Sequence, residues 1–96
     1  MNLGLFSSKP DGEIPNLVAV QDPAFANLDT VLVCPLRTDA SAPGRVLVVW
    51  RDAQFCVRCD LIRPIHRQVL RPVGELSASD SMKVLRAAHS VLGQLA

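Results

Sequence analysis

Short apolar runs separated by turn-forming residues fill the first half of the chain. Runs of this length, rich in β-branched residues and bounded by Pro, Gly, Ser or Asp, are typical of β-strands. We expect Pro35 to end the third run, because proline lacks the N–H that a sheet ladder needs. The pattern therefore predicts strands at Leu3–Phe6, Leu17–Val20, Thr30–Cys34 and Arg45–Trp50.

The segment Gln54–Asp60 alternates with a period of two, after a tight connection at residues 51–53. Phe55, Val57 and Cys59 would face the core, which places Arg58 and Asp60 together on the opposite face of the same strand. A last strand is expected around residues 69–73, at a sheet edge because it contains a proline.

The C-terminal segment predicts a helix from about Ala78 to Leu92. Ser77 stands three residues before Asp80, in a weaker relative of the Ser-x-x-Glu capping box. Apolar residues then recur at helical spacing, and we expect the whole stripe to face the core. It comprises Met82, Leu85, Ala88 and Leu92, flanked by Val84, Val91 and Leu95.

Many short strands and one terminal helix indicate a mainly β fold, a small closed or nearly closed barrel. A parallel α/β sheet is disfavoured because one helix cannot supply its crossovers. With 96 residues, of which 49% are hydrophobic, the chain fits a single domain spanning 1–96. The longest apolar stretch, Val46–Trp50, is far shorter than the roughly 20 residues of a membrane span. The N-terminus also lacks the basic and apolar regions of a signal peptide, so we expect a cytoplasmic protein.

Three cysteines, Cys34, Cys56 and Cys59, form an odd set that is atypical of a secreted disulfide framework. Residues 56 and 59 make a single CxxC, but positions three apart on a strand point to opposite faces. We therefore expect buried, reduced thiols and neither a metal site nor another cofactor.

Charge is distributed unevenly along the chain. Residues 45–71 hold six arginines and two aspartates, whereas residues 1–44 hold two basic and five acidic side chains. A basic region of this kind suits a polyanionic ligand, although arginines scattered over exposed strand faces would give the same count.

Three stretches resemble the CcdB/MazF (PemK/Kid) class of bacterial toxins. Residues 18–22, followed by 28–36, are similar to the early strands of CcdB-type toxins. Val57–Pro64 resembles the RCDQ/CDQIRT signature of MazF/Kid-type toxins, and Val73–Ser77 is similar to the IGxLS entry to the terminal helix of both branches. The order and spacing of the three stretches carry the resemblance, which covers roughly residues 17–95.

The resemblance implies an SH3-like barrel that forms a homodimer and is bound by a cognate antitoxin protein of a type II toxin–antitoxin module. The MazF/Kid branch cleaves single-stranded RNA without a metal, whereas the CcdB branch binds and poisons DNA gyrase. We expect the first activity here. The alternatives are the gyrase-binding toxin and a barrel that only binds protein.

The family's Arg-x-Asp pattern falls on Arg58 and Asp60, which the resemblance makes the catalytic pair. Arg58 would stabilise the charged phosphorane, and Asp60 would orient or deprotonate the 2′-hydroxyl. Arg37, Thr38 and Arg63 would contact the RNA, Thr38 by its match to the family's PxT-type position. The alternative for Arg58 and Asp60 is a solvent-facing ion pair of about 0–1 kcal/mol.

This sequence lacks one characteristic signature of each branch of the family. The loop at residues 7–15 offers only Lys9 where MazF-branch RNases carry a basic or histidine catalytic residue. The chain ends in residues 92–96 without the Trp-Gly-Ile-like tail of the gyrase poisons, and its only tryptophan is Trp50.

Overall fold

The computed structural model describes residues 2–21, 28–38 and 45–95. Seven strands and one long helix account for most of this chain. The strands are β1 (Gly4–Ser7), β2 (Leu17–Ala19), β3 (Thr30–Arg37), β4 (Arg45–Trp50), β5 (Ala53–Arg58), β6 (Arg63–His66) and β7 (Arg71–Glu75), and the helix is α1 (Ala78–Leu95). Two 3₁₀ turns, Cys59–Leu61 and Arg67–Val69, flank β6.

The strands form one antiparallel sheet in the order β4-β5-β3-β2-β1-β7, with β6 paired to β3. The sheet curls into a half-barrel whose two end strands, β4 and β7, are bridged by a side chain. The indole of Trp50 in β4 lies against Gly74 in β7, where a Cβ would come within 2.7 Å of the ring nitrogen. The predicted mainly β fold with a C-terminal helix is confirmed, and β7 is an edge strand as expected.

Helix α1 begins as the sequence predicts, because the Ser77 hydroxyl accepts a hydrogen bond of 3.2 Å from the Asp80 N–H. The Asp80 carboxylate does not complete the capping box. Its Oδ2 instead accepts from the Val49 N–H of edge strand β4 at 2.9 Å, and Lys83 donates to the Leu47 carbonyl at 2.9 Å. Two side chains of α1 thus satisfy backbone groups that β4 would otherwise leave open to another strand.

The buried face of α1 differs from the predicted stripe. Val84 and Ala88 are buried, but Met82 is 49% exposed, so its assignment to the core was wrong. Ser81 is buried instead, and its hydroxyl accepts a hydrogen bond of 2.9 Å from the Leu3 N–H. The buried position therefore belongs to Ser81, a polar residue with a specific hydrogen-bond partner, whereas the apolar pattern assigns it to the neighbouring Met82.

Pro35 does not end β3, which continues to Arg37. The N–H of Leu36 points to the β2 side of β3, where it donates to the Asn16 carbonyl at 2.8 Å. Successive backbone nitrogens of a strand point to opposite sides, so the nitrogen of Pro35 points to the other edge of β3. That edge pairs with β5 at residues 36–37 and with β6 at residues 30–33. Proline thus lies in the gap between the two partners, where no ladder hydrogen bond is lost.

The predicted β4 is confirmed without change, and β1 and β2 are confirmed to within one residue. β6 was not predicted. Asp22 and residue 27, which adjoin the first family-like stretches, lie outside the described residues, as does Ala96 at the chain end.

Candidate RNA-cleavage site

Arg58 and Asp60 form a bidentate ion pair on the surface. Nε of Arg58 donates to Oδ1 of Asp60 at 2.9 Å, and a terminal guanidinium nitrogen donates to Oδ2 at 2.7 Å. The two side chains are 24% and 39% exposed, so the pair is partly desolvated yet accessible to a ligand. Two parallel charge-assisted hydrogen bonds fix both groups with a geometry that a single contact would not give.

The placement of Asp60 corrects the expectation that it shares a strand face with Arg58. β5 ends at Arg58, and Asp60 lies in the following 3₁₀ turn. Cys56, which alternation places on the same face of β5 as Arg58, is buried, so this face of the sheet is covered at that point. The pair is therefore made by a turn that brings the carboxylate back over the end of the strand.

The register of β3 explains why this turn exists. Leu36 pairs with Val57 and Val33 pairs with Arg63, so β3 advances three residues while its partner chain advances six. The extra residues form the Cys59–Leu61 turn, which leaves the edge of β3 and returns as β6. Asp60 is the central residue of this turn, and its position depends on both pairings.

Cys59 anchors the turn from below. It is fully buried, and its thiol donates to the Val84 carbonyl of α1 at 3.8 Å. A hydrogen bond to Cys59, together with burial, raises the pKa of the Cys34 thiol well above its usual range. Cys34, Cys56 and Cys59 are all free and buried, as predicted, and Cys59 contacts Cys34 of β3 in addition to α1.

Arg37 and Thr38 lie at the end of β3 and line a groove of about 480 Å³. The β1–β2 loop, residues 8–16, forms its other wall, with Lys9 and Glu13 in the lining. Asn16 holds this loop closed, since its amide accepts from the Ser8 N–H at 3.0 Å and donates to the Ser8 hydroxyl at 2.8 Å. The sequence could not indicate that Lys9 and Glu13 share a groove with Arg37, because only the β1–β2–β3 pairing brings them together.

Arg63, the remaining predicted contact residue, is exposed at the start of β6 opposite Val33. Arg37 and Val33 lie on one face of β3, because they are four residues apart on the strand. Cys56 of β5 pairs with Arg37 and shares this face, and so does Arg58, which follows Cys56 by two residues. The structure thus brings Arg37, Arg58 and Arg63 to one side of the sheet. Thr38 joins Arg37 in the groove, which the Arg58–Asp60 pair does not line.

This arrangement combines a carboxylate held against a permanent cation with further guanidinium groups on the same sheet face. Such a set can bind phosphodiesters and stabilise negative charge that develops on phosphorus. Within residues 2–21, 28–38 and 45–95, no group of three or more His, Cys, Asp or Glu side chains has the geometry of a metal site. No helix in this part of the chain is long and apolar enough to cross a membrane.

The fold is that of MazF-type toxins. The Mycobacterium tuberculosis toxin MazF-mt6 matches with a TM-score of 0.71 and 18% identity, over 97% of this chain and 97% of that chain. An endoribonuclease in complex with its cognate antitoxin, from a mycobacterial species, matches with a TM-score of 0.67 and 18% identity over 96% and 89% of the two chains. Another mycobacterial endoribonuclease gives 0.68, also at 18% identity, over 96% and 88%.

Residues 3–92 match the family described as PemK-like, MazF-like toxin of type II toxin-antitoxin system. The chain belongs to this family, which confirms the resemblance drawn from the sequence and favours the MazF branch over the CcdB branch. A comparison with curated proteins gave no match.

Proposed function

We propose that the protein is a metal-independent endoribonuclease that cleaves single-stranded RNA as the toxin of a type II toxin–antitoxin module. The observation that carries this proposal is the bidentate Arg58–Asp60 pair, partly exposed beside other arginines on one sheet face. The MazF-like family and the solved relatives titled endoribonuclease support the same activity.

The two residues of the pair have complementary chemical roles. The carboxylate of Asp60 accepts the proton of the ribose 2′-hydroxyl, whose oxygen then attacks the adjacent phosphorus. Arg58 donates hydrogen bonds to the phosphorane oxygens as their charge develops, because its guanidinium remains cationic and its donors match phosphate geometry. The bond to the 5′-oxygen breaks, that oxygen takes a proton from water, and a 2′,3′-cyclic phosphate remains on the other fragment.

Arg37, Thr38 and Arg63 bind the substrate in this proposal. Arg37 and Arg63 extend the positive surface on both sides of Arg58 along β3. Thr38 lines the groove, and its hydroxyl donates to a base or a phosphate in this proposal. These residues set the position of the strand, while the ion pair performs the chemistry.

A homodimer and an antitoxin complex complete the proposal. Leu47 and Val49 of β4 are 44% and 53% exposed, more than an isolated small barrel is expected to leave open on one strand. A second copy covering such apolar side chains would form a symmetric dimer. The antitoxin is proposed from the family and from the relative solved with its cognate antitoxin.

Product analysis tests the proposed reaction directly. Purified protein is incubated with end-labelled single-stranded RNA in EDTA, and the fragments are analysed by mass spectrometry. We expect cleavage to persist, to leave a 2′,3′-cyclic phosphate and a 5′-hydroxyl, and to stop when the nucleotide at the cleaved position is replaced by its 2′-deoxy form. Cleavage that requires added metal, or that proceeds at the deoxy position, would contradict the mechanism.

A further inference from the structure

A second basic pocket, of about 290 Å³, lies at the far end of β5 from the Arg58–Asp60 pair. Arg51, in the turn between β4 and β5, and Arg71, at the start of β7, both line it. Of the residues that the structure describes, Glu13 contributes the one carboxylate of its lining, and Gly12, Pro72 and Val73 complete the wall. Neither arginine belongs to the site predicted from the sequence.

Both guanidinium groups are held in place by the protein. Arg51 stacks over the Trp50 ring at 4.5 Å from the centroid, and Trp50 is itself packed against Gly74. Arg71 donates to the Pro10 carbonyl at 2.7 Å. In the described part of the chain no carboxylate lies within ion-pair distance of either group. Within the described residues, the two cations are therefore oriented by neutral partners and no carboxylate is paired with either of them.

The backbone conformation of this turn does not favour an arginine at position 51. Arg51 and Asp52 have φ values of 50° and 62°, the left-handed conformation that two-residue hairpin turns normally give to Asn and Gly. A residue with a Cβ in this region is strained. Because the turn would form more readily with glycine, the Arg51 side chain needs another explanation, which its place in the pocket supplies.

This pocket adjoins the groove that contains Arg37 and Thr38. Gly12 and Glu13 of the β1–β2 loop line both of them. Among the described residues, the two are lined by four cationic side chains, Lys9, Arg37, Arg51 and Arg71, and by one carboxylate, that of Glu13. At about 3.3 Å per strand residue, β5 separates the Arg51 end from Arg58 by on the order of 20 Å. An extended single strand of a few nucleotides can cover that distance.

We infer that Arg51 and Arg71 form a second phosphate subsite, which binds the backbone of single-stranded RNA several nucleotides away from the cleaved bond. The inference rests on the proposed function and adds to it a minimum substrate length. Phosphodiesters are favoured over the carboxylates of an acidic protein segment, because the pocket adjoins the groove with the proposed RNA contacts Arg37 and Thr38 and because two oriented guanidinium forks match phosphate oxygens.

The test uses the full-length protein and its double variant Arg51→Gln/Arg71→Gln. Glutamine keeps a donor for the Pro10 carbonyl, and thermal unfolding of each variant checks that the barrel remains folded. Arg86→Gln, on the exposed side of α1, is the matched control for loss of charge. Binding is measured by fluorescence anisotropy with a short RNA that covers only the cleaved sequence and with a longer RNA, both carrying a 2′-deoxy nucleotide at the cleaved position. Cleavage is measured separately, with the short and the long RNA in their unmodified form.

We expect the ratio of affinities for long over short RNA to fall about tenfold in the double variant and to stay unchanged in Arg86→Gln. The dependence of log affinity for the long RNA on log salt should become shallower by about 1.4, since each single-strand phosphate contact contributes about 0.7. An unchanged ratio and an unchanged salt slope would overturn the subsite.

The separate readouts distinguish failure of the subsite from failure of the proposed function. A parent protein that binds RNA but does not cleave it refutes the RNase, while a length-dependent loss of binding in the double variant still supports the subsite. A double variant that loses affinity for a polyglutamate peptide, with RNA binding unchanged, assigns the pocket to an acidic protein segment and overturns the inference.

Discussion

Replacing Gly74 with alanine should open the contact that bridges the two ends of the sheet. The new Cβ would lie 2.7 Å from the Trp50 ring nitrogen, which is closer than real contacts allow, and 3.1 Å from two ring carbons, which is tighter than most. Trp50 must therefore tilt away from β7. Overpacking of this kind costs about 1–3 kcal/mol, and the better strand behaviour of alanine returns about 0.5–1 kcal/mol. The difference spans about 0–2.5 kcal/mol, and we expect a net loss near the middle of that range, about 1 kcal/mol, for Gly74→Ala.

Urea unfolding followed by tryptophan fluorescence measures this loss, because Trp50 is the only tryptophan in the chain. The native emission should shift as the ring moves, and each kcal/mol should lower Tm by about 4–8 °C. The same substitution in a Trp50→Phe background is the control, since phenylalanine lacks the atoms that clash. In that background Gly74→Ala should lower the free energy of unfolding clearly less than in the parent protein, with unfolding followed by circular dichroism in both backgrounds. Equal costs in the two backgrounds, or no cost with unchanged emission, would refute the bridge.

Two further substitutions test the loop and the covered edge. In Gly12→Ala the new Cβ would overlap the Ser7 hydroxyl, so we expect lower thermal stability and weaker RNA binding than in the parent protein; an unaffected variant would contradict the packing of the β1–β2 loop. Asp80→Ala should lose about 1–3 kcal/mol in urea and promote self-association in sedimentation, because it frees the Val49 N–H of edge strand β4. Asp80→Asn retains an acceptor and should lose less; equal losses would exclude this role for the hydrogen bond.

The sequence predicted the elements whose signal is local. Alternation and β-branched runs identified β1 to β5, and Ser77 marked the start of α1. β6 was missed because its residues, Arg63–His66, include a proline and only one apolar side chain besides it, so neither strand period appears. Its formation depends on pairing with residues 30–33 of β3, whose partners lie 30 or more positions later in the chain.

The candidate site shows the same division between local and long-range information. The residues Arg58 and Asp60 could be selected from the sequence, but their geometry could not. Alternation extends through Cys59, which is buried as a strand position would be, and only the register of β3 against β5 and β6 shows that the chain turns there. The prediction that Pro35 ends β3 was wrong for a related reason. At the Cys59–Leu61 turn the partner chain leaves the edge of β3, so no strand there needs the N–H that proline lacks.

The cleavage rate of a defined single-stranded RNA by Arg58→Ala and Asp60→Asn, in EDTA, tests the central claim most directly. Loss of one group that stabilises transition-state charge typically lowers the rate by about 10²–10³. We predict a loss of this size in each variant, with unfolding free energies within about 1 kcal/mol of the parent, as expected for a partly exposed ion pair. Arg86→Ala should cleave at the parental rate. Full activity in both site variants, from protein free of contaminating nuclease, would show that the Arg58–Asp60 pair is only structural.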